Sequence, residues 1–210
     1  MKFLNPFFVL TALAWTVMGG LLFTFNRTKI QLAFDGIHNS WGDTFFPFIT
    51  HWGDGAVFVL GLIFLFIRYK DFFAVLFSSL LTLVVAGVLK NFVFAGSPRP
   101  AKYFPEGMLH FVEGVDMHLV NSFPSGHTMA AFAFWGVLSL ILPKDKVIWK
   151  FLFFIIAILV GLSRVYLHQH FLIDVWAGMA LGLTIAYLSL FLSQLMTAPW
   201  VERKIRWGVK

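Results

Sequence analysis

A hydroxyl, a glycine and an imidazole stand together at Pro124-Ser125-Gly126-His127-Thr128, where a long charge-free run begins. A helix that opens on Ser-Gly offers unpaired backbone N–H groups and the positive end of its dipole, which together receive anions. Lys90 closes one apolar run and Arg99-Pro100 follows it; Ser163-Arg164 closes another. A further run opens with His170-Phe-Leu-Ile-Asp174. Residues four apart share a helical face, so Asp174 can orient the His170 ring. Charged and titratable residues at the ends of apolar helices are functional candidates by default. Here they supply three cations, a helix N-terminus and two histidines, the parts of an anion site.

The elements that must hold these residues are membrane spans. Of 210 residues, 59% are hydrophobic and 12% charged, with 27 Phe and 8 Trp; a soluble domain carries about 25% charged residues. Mean hydropathy is +0.82. So much apolar surface needs lipid as part of its solvent. With no Cys there is no disulfide framework or thiolate metal site. The net charge of +6 is spread between apolar runs, unlike a nucleic-acid-binding patch, so no nucleic-acid partner is expected.

A bilayer core of about 30 Å takes roughly 20 helical residues per crossing. Six spans are expected, at about 6–25, 47–67, 72–93, 126–143, 147–163 and 173–195. The first run is too long for the apolar core of a signal peptide and is expected to stay as a helix. Six crossings leave both termini on one side. That side carries ten of the 16 Lys and Arg, against Arg27, Lys29, Lys90, Arg99, Lys102 and Arg164 on the other. The positive-inside rule then makes the termini cytoplasmic. Segment 26–46 is expected to hold a short interfacial helix. Loop 95–125 is extracytoplasmic in this topology, and its stretch 110–118 alternates around Glu113-Gly114 like a small hairpin. The expectation is an all-α, six-span membrane bundle, residues 1–210 forming one domain, with its active site at the extracytoplasmic helix ends.

The pattern resembles the type-2 phosphatidic acid phosphatase family, whose signature has three parts. Pro124-Ser125-Gly126-His127 matches the second. Ser163-Arg164, five residues, His170, three residues and Asp174 match the third. In the first part a Lys is followed six residues later by Arg-Pro; here eight residues separate Lys90 from Arg99. The resemblance implies that His170 attacks phosphorus to give a phosphohistidine, with Asp174 fixing its tautomer. It implies His127 as general acid and then base, and Lys90, Arg99, Ser125, Gly126 and Arg164 as phosphate ligands. No cofactor or metal is required, since side-chain cations already meet the phosphate and no carboxylate cluster stands beside them to hold Mg²⁺.

Residues outside the signature have plainer readings. His38, His51, His110 and His168 read as interfacial. Asp54 reads as a cap on the second span, with a role behind the site as the alternative. Trp41, Trp52, Trp149, Trp200 and Trp207 read as an interfacial belt, and 202–210 as an anchor to acidic lipid. The function expected is a lipid phosphatase of the cytoplasmic membrane, with undecaprenyl diphosphate as first choice of substrate. Phosphatidate, phosphatidylglycerophosphate and lipid A phosphates are the alternatives. Vanadium haloperoxidases share the anion site by resemblance but are soluble. A non-catalytic lipid-binding or transport protein is the alternative of another class.

Overall fold

The computed structural model describes residues 5–201, which are mostly helical, with no β-strand among them. Helix α1 (Pro6–Thr24) starts where the Asn5 side chain accepts the Phe7 N–H and Pro6 presets the first turn. The segment expected to hold one interfacial helix holds two, α2 (Arg27–Asp35) and α3 (Ser40–Ile49). The reason is local: Asn26 and Asn39 each cap a new start, accepting the N–H of Lys29 and of Gly42.

The second expected span is broken. After α3, which contains Pro47, the chain winds through a 3₁₀ turn (Thr50–Gly53). Asp54 is extended, and a 3₁₀ helix follows (Gly55–Phe66). The axis bends by 43° across this break. Helix α4 (Tyr69–Val88) runs into one π-helical turn (Leu89–Val93), and the short α5 is Pro100–Tyr103. Then come α6 (Gly126–Ile141), α7 (Val147–Tyr166) and α8 (Leu172–Gln194). Among the described residues four helices are long and apolar enough to cross a bilayer, α1, α4 with its π turn, α7 and α8, and the bent pair makes a fifth if it counts as one span. The fourth expected span, α6, has 16 residues; at 1.5 Å per residue it falls several ångströms short of a ~30 Å core.

That shortness goes with its position. Eleven of the α6 residues are buried, and α4, α7 and α8 pack around it, so protein rather than lipid surrounds it. The α6–α8 crossing is set by glycine: a Cβ on Gly178 would stand 2.8 Å from the Ser125 carbonyl oxygen, and one on Gly182 2.6 Å from that of Met129. Small residues four apart allow backbones to approach this closely. Helix α1 is fastened to α8 by a reciprocal pair: each of the indoles of Trp15 and Trp176 donates to the other's carbonyl, at 3.1 and 2.9 Å.

The hairpin expected at 110–118 does not form. The chain reverses at Gly114 (φ +79°) without pairing, since an isolated two-stranded ribbon is marginal. The loop is tied instead to the segment after α4: Arg99 N–H donates to Leu119 O, and Ser122 N–H to Ser97 O.

Candidate active site

His170 lies in the turn between α7 and α8, and Asp174 in the first turn of α8. As the spacing predicts, they meet: His170 Nδ1–H donates to Asp174 Oδ2 at 3.2 Å. The same oxygen accepts the Phe171 N–H at 3.0 Å and the Ser122 hydroxyl at 2.5 Å. Three donors on one oxygen hold the carboxylate still. With Nδ1 committed, the lone pair of His170 is on Nε2. His170 is 1% exposed. Burial first, then the charges of Arg99, Arg164, Lys90 and His127, hold its pKa well below the ordinary 6.5. The ring is therefore neutral at neutral pH.

His127, in the first turn of α6, has a carboxylate of its own. Its Nε2 is 2.5 Å from Asp54 Oδ1, and Asp54 Oδ2 is 2.7 Å from His51 Nδ1. The capping role read for Asp54 is therefore corrected: its side chain makes no cap bond to the 3₁₀ helix it precedes. The break in the second span turns it toward α6 instead. Neighbouring Gly53 permits the approach, since a Cβ there would be 2.7 Å from the His127 carbonyl oxygen.

Lys90, Arg99 and Arg164 lie close enough to repel one another. Lys90 reaches the start of α6, with Nζ 3.7 Å from where a Cβ on Gly126 would be. The eight-residue gap is taken up by the π turn, which holds an extra residue relative to α-helix, and by a turn at Gly96 (φ +77°). Arg99 is buried and oriented: Nε donates to Val120 O, and Nη1 to both the backbone and side-chain oxygens of Gln169. Arg164 donates through Nη1 to Thr50 Oγ1 at 2.8 Å, while its buried Nε has no protein partner. Ser125 is the N-cap of α6, where its Oγ accepts the Thr128 hydroxyl at 2.8 Å.

The sequence profile of the PAP2 superfamily matches residues 71–197, which contain every signature residue. The chain belongs to the PAP2 superfamily. Over 111 residues it is 36% identical to a lipid A 1-phosphatase of Rhizobium johnstonii, a match covering 53% of this chain and 41% of that protein. The chain thus spans less than half the length of this relative. It is 28% identical over 174 residues to the undecaprenyl-diphosphatase BcrC of Bacillus subtilis, covering 80% and 83%. The crystal structure of Aquifex aeolicus LpxE superposes with a TM-score of 0.68 at 27% identity, covering 78% of this chain and 94% of that one. With its apolar helices, this chain is a multi-pass membrane protein of the superfamily.

Like the signature residues, the space around them is organised by the helix ends. A cavity of about 320 Å³ is lined by Thr50, Asp54, His127, Arg164 and Gln169 under the 114–118 part of the loop. A groove of about 230 Å³ passes His127 and runs between Phe58, Leu83 and Ala86 along the apolar flank of α4. Three positioning residues had no separate reading in the sequence: Ser122 on Asp174, Gln169 on Arg99, and Thr50 on Arg164. Ser122 lies just before the Pro-Ser-Gly-His motif and Gln169 just before His170, so adjacency to a motif was their signal. Thr50 gave none.

Proposed function

We propose that this PAP2-superfamily chain is a lipid phosphatase that works through a phosphohistidine. The observation that carries the reading is the pair of carboxylate-backed histidines beside Lys90, Arg99 and Arg164. His170 Nε2 forms the N–P bond while the P–O bond to the lipid breaks. His127 gives the leaving oxygen its proton from Nδ1, the nitrogen that Asp54 does not hold. His127 then takes a proton from water, whose oxygen attacks phosphorus as the P–N bond breaks and phosphate leaves. The three cations and the Gly126 N–H hold the equatorial oxygens throughout.

The substrate is a membrane lipid because the site has two kinds of exit. The polar cavity suits a phosphate headgroup, and the groove past Phe58, Leu83 and Ala86 leads an acyl or isoprenoid chain out toward lipid. Undecaprenyl diphosphate is the first choice, supported by one of several relatives matched over most of both chains. The reaction is proposed to occur at the extracytoplasmic face, a reading supported by the excess of Lys and Arg on the side of the termini. The test is phosphate release by purified protein in detergent with EDTA, on undecaprenyl diphosphate, phosphatidate, phosphatidylglycerophosphate and lipid A. Fastest release from undecaprenyl diphosphate is expected. Fastest release from another lipid replaces that substrate, and no release from any of them overturns the enzymatic reading.

A further inference from the structure

Beside the phosphate site, histidines that sequence alone treats as scattered interfacial residues converge. His38 precedes α3, Asp43 lies in its first turn and His110 is on the loop. His38 Nδ1 stands 3.0 Å from Asp43 Oδ1, and His110 Nε2 stands 3.1 Å from Asp43 Oδ2. The ligand-capable atoms of the three residues lie within 4.8 Å of one another. Ligands 2.0–2.1 Å from a tetrahedral zinc stand roughly 3.3 Å apart, so atoms within 4.8 Å of one another need to close by at most about 1.5 Å to share one ion.

The surroundings match what a metal-bound histidine and carboxylate need. His38 Nε2 donates to the Tyr166 carbonyl at 3.0 Å, and the Tyr166 hydroxyl donates to Asp43 Oδ1 at 2.7 Å. Ligating histidines characteristically give their other N–H to a carbonyl or carboxylate, and ligating carboxylates accept a further hydrogen bond. His38 poses the question sharply, because both its ring nitrogens face oxygens that only accept. A neutral ring has one N–H for two such partners; either a second proton or a metal ion at Nδ1, with Nε2–H kept, satisfies both. The His38 and Asp43 side chains are 6% and 25% exposed, and that of His110 is 52% exposed. The ligand set is therefore held on a firm base with one side open to solvent.

We propose that His38, Asp43 and His110 bind one transition-metal ion of the zinc class, which clips loop 104–118 to α3. Two imidazoles and a carboxylate select zinc-like ions over Mg²⁺ or Ca²⁺, which take oxygen. The ion does not enter the phosphoryl transfer. The same loop carries Asp116, whose carbonyl accepts from Gln169, the residue that orients Arg99. Metal binding therefore steadies the roof of the phosphate site.

The test uses full-length protein in detergent, stripped with EDTA, freed of chelator and titrated with Zn²⁺ against a chromophoric competitor. One site per chain is expected, lost in Asp43→Asn and in His110→Ala and kept in His51→Ala. Co²⁺ should give the intense visible bands of a four-coordinate site in the parent and in neither ligand variant. Tyr166→Phe should weaken Zn²⁺ binding roughly tenfold. Zn²⁺ should also slow Glu-specific proteolysis at Glu106 and Glu113 in the parent alone. Because His110 is half exposed, metal-free His110→Ala should elute and melt like the metal-free parent, which separates loss of the site from misfolding. No binding by the parent, or binding that survives in both ligand variants, overturns the proposal and leaves a hydrogen-bonded latch. No lipid enters these measurements, so their outcome is independent of the phosphatase test.

Discussion

The two histidine–carboxylate pairs are built from the same groups and placed in opposite surroundings. His170 and Asp174 have side chains 1% and 4% exposed, with the carboxylate held by three donors. His127 and Asp54 have side chains 31% and 34% exposed and border the polar cavity. A nucleophile gains from a fixed ring and a neutral nitrogen among cations. An acid that must later become a base needs access to water. The environment, not the residue type, separates the two proposed roles.

The largest expected effect tests that separation. His170→Ala removes the atom that accepts phosphorus, so neither product nor phosphoenzyme should form. His127→Ala keeps the nucleophile and loses the proton carrier. Its lipid turnover should fall by about 10²–10⁴-fold. With an activated aryl phosphate, whose leaving group needs little protonation, an acid-labile phosphoenzyme should accumulate in this variant. Rapid quench with labelled substrate and peptide mapping reads both. Label on His127 in the His170→Ala protein would exchange the roles, and trapped label on Ser125 would replace histidine chemistry with serine chemistry.

The pairs also differ in how readable they were. His170 and Asp174 lie four residues apart, and helical periodicity alone puts them together. Asp54 and His127 come from different segments, and Asp54, the one Asp, Glu, Lys or Arg between Phe45 and Ile67, reads as a cap with a role behind the site as the alternative. What turns it inward is the break between Pro47 and Gly55; Pro and Gly mark a break in the run but not the direction the chain takes after it. The apolar runs marked where six helical segments lie, yet not that one is bent and one short. Both departures arise where protein replaces lipid as the neighbour. The cluster of His38, Asp43 and His110 is illegible for a related reason: its members come from the segment before α3, from α3 itself and from loop 104–118.

Asp54 gives the next prediction. Asn in its place keeps the shape and an acceptor but removes the charge facing His127. Lipid turnover should fall about ten- to hundredfold through kcat, with KM little changed. The loss should shrink as the leaving group becomes more acidic, because less protonation is then required of His127. An equal loss across all leaving groups would make Asp54 a structural residue of the bend.

The cations should matter to a similar or smaller degree. Arg99→Ala removes a charge-assisted contact worth roughly 1.5–3 kcal/mol, or about ten- to hundredfold in kcat/KM. Lys90→Ala should lower kcat/KM as well, since the π turn brings Nζ to the start of α6. Unchanged turnover in Lys90→Ala beside a dead Arg99→Ala would remove Lys90 from the phosphate site.

The smallest effect concerns stability against pH, and it isolates the buried pair. Folded His170 has a pKa well below 6.5, whereas in the unfolded chain it titrates near 6.5. Between these values the unfolded state binds a proton that the folded state refuses. Stability from this group is therefore complete above about pH 6.5, and it falls as pH drops toward the folded pKa, by at most about 1.4 kcal/mol per pH unit. His170→Gln removes the titration, so its melting temperature should fall less steeply between pH 7 and pH 5 than that of the parent. Inorganic phosphate should flatten the parent's slope, because an anion among Lys90, Arg99 and Arg164 offsets the charges that oppose protonation of His170. The same addition should leave the slope of His170→Gln almost unchanged. Parallel slopes in parent and variant would mean that His170 is not the group held neutral, and the contrast between the two pairs would then rest on geometry alone.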